Sequence, residues 1–237
     1  MNKTGKALCL ALSAVIVLGM TAAAGKAAYF TDEDEIKNSK AVTVLTDLNI
    51  MQGKDDGSFA PTGIVSRAEL CKMICIALNG GKDPELGTVA WSFPDIGGHR
   101  AAGYIEYCFN LGIVAGRGDG NFDPDGAVTG SQAVKMLLVA IGYDSEIENF
   151  VGKDWAIAAN VRANQKNFYE GLEDLNPSAA LIRDQAAQLV YNAISAVMVE
   201  YEYKLFKTAD GELQAIAVLS DNQDGDTILS KKFNVIP

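Results

Sequence analysis

The chain has 237 residues, 49% of them hydrophobic and 21% charged, which excludes wholesale disorder and leaves room for one large domain or two small ones. Thirty acidic against twenty basic residues give a formal charge of −10. A protein of that sign is a poor non-specific ligand for nucleic acid or an anionic membrane, so any anionic partner must be held by local cations.

In chain order, Lys3 and Lys6 precede an apolar run from Ala7 to Met20 and the small residues Thr21-Ala22-Ala23-Ala24. A basic start, a short apolar stretch and an A-x-A site predict a secretory signal peptide over 1–24. The run is shorter than the roughly 20 apolar residues of a spanning helix. Export and cleavage are expected, with no membrane segment afterwards. Cys71, Cys75 and Cys108 then remain; with a single histidine, His99, they form no disulfide framework and no close metal-ligand pair. Buried small hydrophobes are their expected role.

From Ala28 to Asn79 the order is F-x-D (Phe30, Asp32), a helical stretch through Val42, Leu45 and Leu48, a glycine loop, and a second helix. Ser66 and Glu69 have capping-box spacing, so that second helix is expected to begin at Arg67. Arg67 then falls in the first turn, where free amides and the helix dipole favour an anion. Shifted by 63 residues the unit returns. Phe30 and Asp32 become Phe93 and Asp95, the loop Asp56-Gly57-Ser58-Phe59 becomes Asp119-Gly120-Asn121-Phe122, and Pro61 becomes Pro124. The stripe Leu70, Cys71, Ile74, Cys75, Leu78 becomes Ala133, Val134, Leu137, Leu138, Ile141, in phase.

A third copy is more worn. Trp155-Ala156 matches Arg100-Ala101, Pro177 matches Pro124, and Ala186, Ala187, Val190, Tyr191 and Ile194 carry the stripe. Its loop has decayed to Asp174-Leu175-Asn176-Pro177. Three copies suffice for stacked helical repeats to close a core that one copy cannot. Beyond Ile194, three strands are expected: Val199–Leu205, Gln214–Leu219 and Thr227–Leu229, separated by turns at Asp210-Gly211 and Asp224-Gly225. They read as an accessory sheet or the start of a further domain of a longer parent.

The motifs F-x-D, L-G-I-V-x-G-x-G-D-G-x-F-x-P and V-[ST]-R-A-E, in this order and followed by an apolar helix, resemble the S-layer homology (SLH) family over residues 29–195. The resemblance implies a mainly α fold: three helix-loop-helix repeats in a pseudo-threefold bundle, followed by a short β-strand segment. The boundaries are 29–83, 91–145 and a degenerate 150–195, with a β-rich 196–237. It also implies non-covalent anchoring of an exported protein to the cell wall, through an anionic, pyruvylated secondary polysaccharide. A guanidinium fork suits the carboxylate of a pyruvyl ketal.

Carried onto this chain, the implied ligand residues are Arg67 and Arg183, Trp155 as a stacking face, Gly57 and Gly120 shaping the loops, and Asp32 and Asp95. The second copy has Gly130 where the arginine belongs, and Lys37 and Arg100 stand where tryptophan is usual. Packing is an equal alternative for Trp155, and a surface ion pair is the alternative for the arginines. At most two working grooves are expected. No cofactor or metal is expected; Asn121-x-Asp123-x-Asp125 begins like a calcium loop, but Gln132 stands at the twelfth position and Pro124 interrupts it. His99 lacks a catalytic motif around it, so no enzyme is expected. The partners implied are the wall polysaccharide and other surface-layer subunits. The alternatives are a structural adaptor acting through protein contacts, and the anchor of a longer extracellular enzyme.

Overall fold

The computed structural model describes residues 30–85 and 90–235; the segment 1–24, expected to be a signal peptide, lies outside them. The described chain is mostly helical with one short two-stranded sheet. The helices are α1 (Ser39–Asp47), α2 (Arg67–Leu78), α3 (Ala102–Asn110), α4 (Gly130–Ala140), α5 (Trp155–Gln165), α6 (Arg183–Ser195) and α7 (Ile228–Phe233). Strands β1 (Val199–Lys207) and β2 (Leu213–Asp221) form an antiparallel hairpin between α6 and α7.

Helix α2 starts at Arg67 for the expected reason. Ser66 Oγ accepts from the Glu69 amide, and Glu69 accepts from the Ser66 amide. Thr129 and Gln132 repeat the device at α4. At α6, Ile182 has no acceptor to offer; only the returning half survives, from the Ile182 amide to Gln185 Oε1 at 3.4 Å.

Helices α2, α4 and α6 touch one another pairwise, and each also carries the first helix of another repeat: α3 on α2, α5 on α4, α1 on α6. The stripes read from the sequence form this centre: Leu70, Cys71, Cys75, Ala133, Val134, Leu138, Ala186, Ala187 and Val190 are all fully buried. Cys108 lies in the same core, where its thiol donates to the Cys71 carbonyl and is held well above its ordinary pKa by the Cys71 side chain and by burial.

The segments ahead of the three helices are joined in a ring of backbone bonds. Val65 N donates to Leu181 O, Leu181 N to Val128 O, and Val128 N to Val65 O, at 2.9–3.0 Å. The second residue of each helix then reaches a proline carbonyl in another repeat: Ala68 to Pro124, Ser131 to Pro177, Asp184 to Pro61. First-turn amides that an isolated helix leaves unpaired are thereby used to tie repeat to repeat.

The third expected strand is a helix. Thr227 Oγ1 accepts from the Ser230 amide and Ser230 Oγ from the Thr227 amide, so Thr227-x-x-Ser230 acts as a capping box. Ile228 and Leu229 are buried beside α2 and α6. A short apolar run fits strand or helix equally well by pattern, and here the cap and the available core decide.

Candidate functional site

Asp32 and Asp95 hold the glycine loops in shape. Asp32 accepts from the amides of Phe59 and Ala60, both at 2.8 Å; Asp95 accepts from Phe122 (2.9 Å) and Asp123 (2.7 Å). Ala60 and Asp123 have positive φ, 56° and 62°, a conformation that costs a non-glycine residue energy and must be imposed by its surroundings. Desolvation pushes the Asp95 carboxyl up, but the two amides outweigh it and hold its pKa below the ordinary value. Gly57 and Gly120, at φ 82° and 90°, make the turns of these loops.

Arg67 and Arg183 are neither surface ion pairs nor free forks. Arg67 is 8% exposed; its Nε donates to the Phe122 carbonyl (2.9 Å) and Nη2 to the Ala115 carbonyl (3.1 Å), with the guanidinium 4.4 Å from the Phe122 ring centre. Arg183, 5% exposed, does the same to Phe59 O and Gln52 O (both 2.8 Å), over the Phe59 ring. Burial lowers the pKa of both, yet an arginine stays charged at any physiological pH. Their helix-start amides are occupied too, Arg67 N by Gly126 O and Arg183 N by Gly63 O. Each arginine is a clamp from one repeat onto the glycine loop of another, so the free-amide argument for an anion fails at these two helix starts.

Gly130 shows why the second copy has no arginine. By repeat alignment it would face the loop of the third copy, where Leu175 replaces the phenylalanine. A Cβ at Gly130 would lie 2.9 Å from Pro177 Cα and 3.0 Å from Leu175 Cδ2. Cation and aromatic face are lost together, and the worn loop closes onto the space. Trp155 begins α5, is half-buried against the core, and carries Lys135 Nζ 5.4 Å from its ring centre. Burial lowers the Lys135 pKa.

One of the open sites among the described residues lies between repeats. A groove of about 440 Å³ runs between the 49–55 loop, the outer face of α2 and the head of α3. Lys54, Lys72, His99 and Arg100 line it, with Arg183 among the lining residues from the third repeat. Acids are fewer there: Asp55, Glu69 and Asp125. Lys54 sits 3.8 Å from Glu69, and His99 Nε2 is 3.4 Å from Asp125. Lys72 Nζ lies 5.5 Å from the ring of Tyr104, whose hydroxyl is pushed up to about 12 by burial and its bond to Asp83. Among the residues expected from the sequence, only Arg183 lines this groove; Gly57, Gly120, Asp32 and Asp95 shape loops beside it. Lys54, Lys72, His99 and Arg100 escaped notice as a set because they come from two repeats and share no motif. Arg100 in place of a tryptophan was the available signal.

The S-layer homology domain matches this sequence twice, over residues 29–71 and 92–134. The chain carries S-layer homology domains. Among similar proteins, a cell surface protein of Thermoanaerobacter kivui is 29% identical over 175 residues, covering 73% of this chain and 22% of that protein. An S-layer protein of Bacillus licheniformis is 27% identical, covering 55% of this chain and 15% of its own length. A cellulosome-anchoring protein of Acetivibrio thermocellus is 31% identical over 119 residues, 48% of this chain and 26% of that protein. The SLH chain thus spans roughly a quarter or less of the length of these relatives. Family and relatives place it at the cell-wall surface. Among the described residues no helix is long and apolar enough to cross a membrane.

Proposed function

We propose that the chain anchors a surface protein non-covalently to the cell wall by binding an anionic, pyruvylated secondary polysaccharide in the groove between α2 and α3. The observation that carries this reading is local charge. A chain with a formal charge of −10 gathers Lys54, Lys72, His99, Arg100 and Arg183 around one open groove. Exposed ammonium and guanidinium groups supply charge-assisted bonds to a sugar carboxylate, while the Tyr104 ring offers apolar contact to ring C–H faces.

The fold underneath is read as three repeats in a pseudo-threefold bundle. The closed ring through Val65, Leu181 and Val128 supports it, as does the matching use of Arg67 and Arg183. In this reading the two arginines act mainly by holding the groove walls in register, and the ligand is met by Lys72 and Arg100. The role is binding rather than catalysis: His99, the sole histidine, uses Nδ1 to accept from the Ala101 amide at the head of α3. The cellulosome-anchoring relative supports the further reading that the chain serves as the anchor portion of a longer protein.

The test is co-sedimentation of the purified protein with wall sacculi, before and after mild acid removal of the secondary polymer. Binding is expected to need the polymer, and Lys72→Ala and Arg100→Ala should weaken it while leaving the melting temperature unchanged. Wild-type protein that stays in the supernatant overturns the reading.

A further inference from the structure

Among the described residues, the β1–β2 hairpin leaves an apolar face uncovered. Tyr201, Tyr203 and Leu205 lie opposite Leu219, Ala217 and Ala215, and Leu213 opposite Lys207, so alternation puts all of these side chains on one face. The bundle covers only the base of that face. Val199 is buried, Leu219 packs on the core, and the Tyr201 hydroxyl reaches Glu148 at 2.9 Å. Further out, Tyr203, Leu205 and Leu213 are 70%, 71% and 70% exposed. A two-stranded hairpin is marginal by itself in water.

The outer edge of β1 is open as well. The Val199 amide points away from β2, to the Ile141 carbonyl at 2.9 Å, whereas the Thr208 amide bonds across the hairpin to Glu212. In an antiparallel pair these directions alternate, so Tyr201, Tyr203 and Leu205 turn their N–H and C=O groups outward. Among the described residues no strand pairs with that edge.

The charge order along β1 names an occupant. Acids come first (Glu200, Glu202) and bases last (Lys204, Lys207). Antiparallel pairing of two β1 strands about Tyr203 sets Tyr201 against Leu205 and Glu202 against Lys204, twice each by symmetry. The outward-pointing groups meet outward-pointing groups, and the two apolar faces continue into a single four-stranded one. The neighbouring registers that keep this phase place Glu202 against Glu202 or Lys204 against Lys204. Like charges directly opposite are unfavourable, so the charges select one register. Ile141 occupies the edge at Val199 and ends the pairing there.

We propose that β1 is a self-association edge: two copies of this chain pair antiparallel through Tyr201–Leu205, with Glu202 of each across from Lys204 of the other. The proposal is independent of polysaccharide binding. Sedimentation velocity of the purified protein over a concentration series tests it. A monomer–dimer equilibrium is expected, and E202K or K204E alone should raise its dissociation constant roughly tenfold by placing like charges opposite each other. The double variant E202K/K204E restores the opposite pairs and should return the wild-type constant. Circular dichroism melts check that all three charge variants fold. A wild-type monomer throughout the series overturns the proposal, as does a dimer indifferent to the single reversals or not restored by the double one.

Discussion

Arg67 and Arg183 each donate to two carbonyls across a repeat boundary, one bond of each pair buried and the other part-buried. Removing either leaves the Phe122 or Phe59 carbonyl without its buried donor. Arg67→Ala and Arg183→Ala are therefore expected to cost about 2–4 kcal/mol each in chemical denaturation, within the range for losing a charged, buried hydrogen-bonding partner. A loss of wall binding in either variant is thus confounded with a loss of stability, whereas Lys72→Ala and Arg100→Ala are expected to leave the melting temperature unchanged. Asp95 carries the pH dependence at this scale. Its folded pKa lies below its unfolded value of about 3.9, so its contribution is fully present above that value and disappears as pH falls through the folded pKa. Asp95→Asn should lower stability near neutral pH and flatten the acid limb, read from urea melts taken down through the carboxylate range.

The elements differ in how well their ends are finished. Helices α2 and α4 have full capping boxes and α6 has half of one. Ile182→Thr, which restores the missing acceptor, is expected to stabilise by about 0.5–1 kcal/mol, seen as a small rise in midpoint denaturant concentration. Gly130→Arg runs the other way. It restores the family residue by repeat alignment, but its Cβ would press on the Pro177 backbone, and a loss of about 1–3 kcal/mol is expected in the same assay. Gly130 and Leu175 are matched to each other, since an arginine at 130 is useful only if a phenylalanine stands near 175.

At the scale of the whole molecule, the repeats are interlocked rather than strung together. The third repeat supplies Leu181 to the Val65 amide, Arg183 to the first loop, and Asp184 to Asn38, whose side-chain amide donates at 2.6 Å. Deleting residues from 150 onward removes all of these at once and bares the apolar stripes of α2 and α4. Such a fragment is expected to lose its cooperative thermal transition, followed by circular dichroism. The groove obeys the same logic: its walls come from the first and second repeats and one of its lining residues, Arg183, from the third.

The sequence by itself determined the repeat, its phase and the helix start at Arg67, because caps and apolar periodicity act within a few residues. It also pointed to Arg67 and Arg183 as important positions, but not to what they do. Whether a first-turn arginine faces solvent, a sugar or a carbonyl depends on which loop lies against it, and that loop is 48–131 residues away in the chain. Tertiary structure joined a local cap to turn the Thr227 segment into a helix, by offering Ile228 and Leu229 a core. It also assembled Lys54, Lys72, His99 and Arg100 around one groove, since side chains from separate repeats become neighbours only when the ring closes.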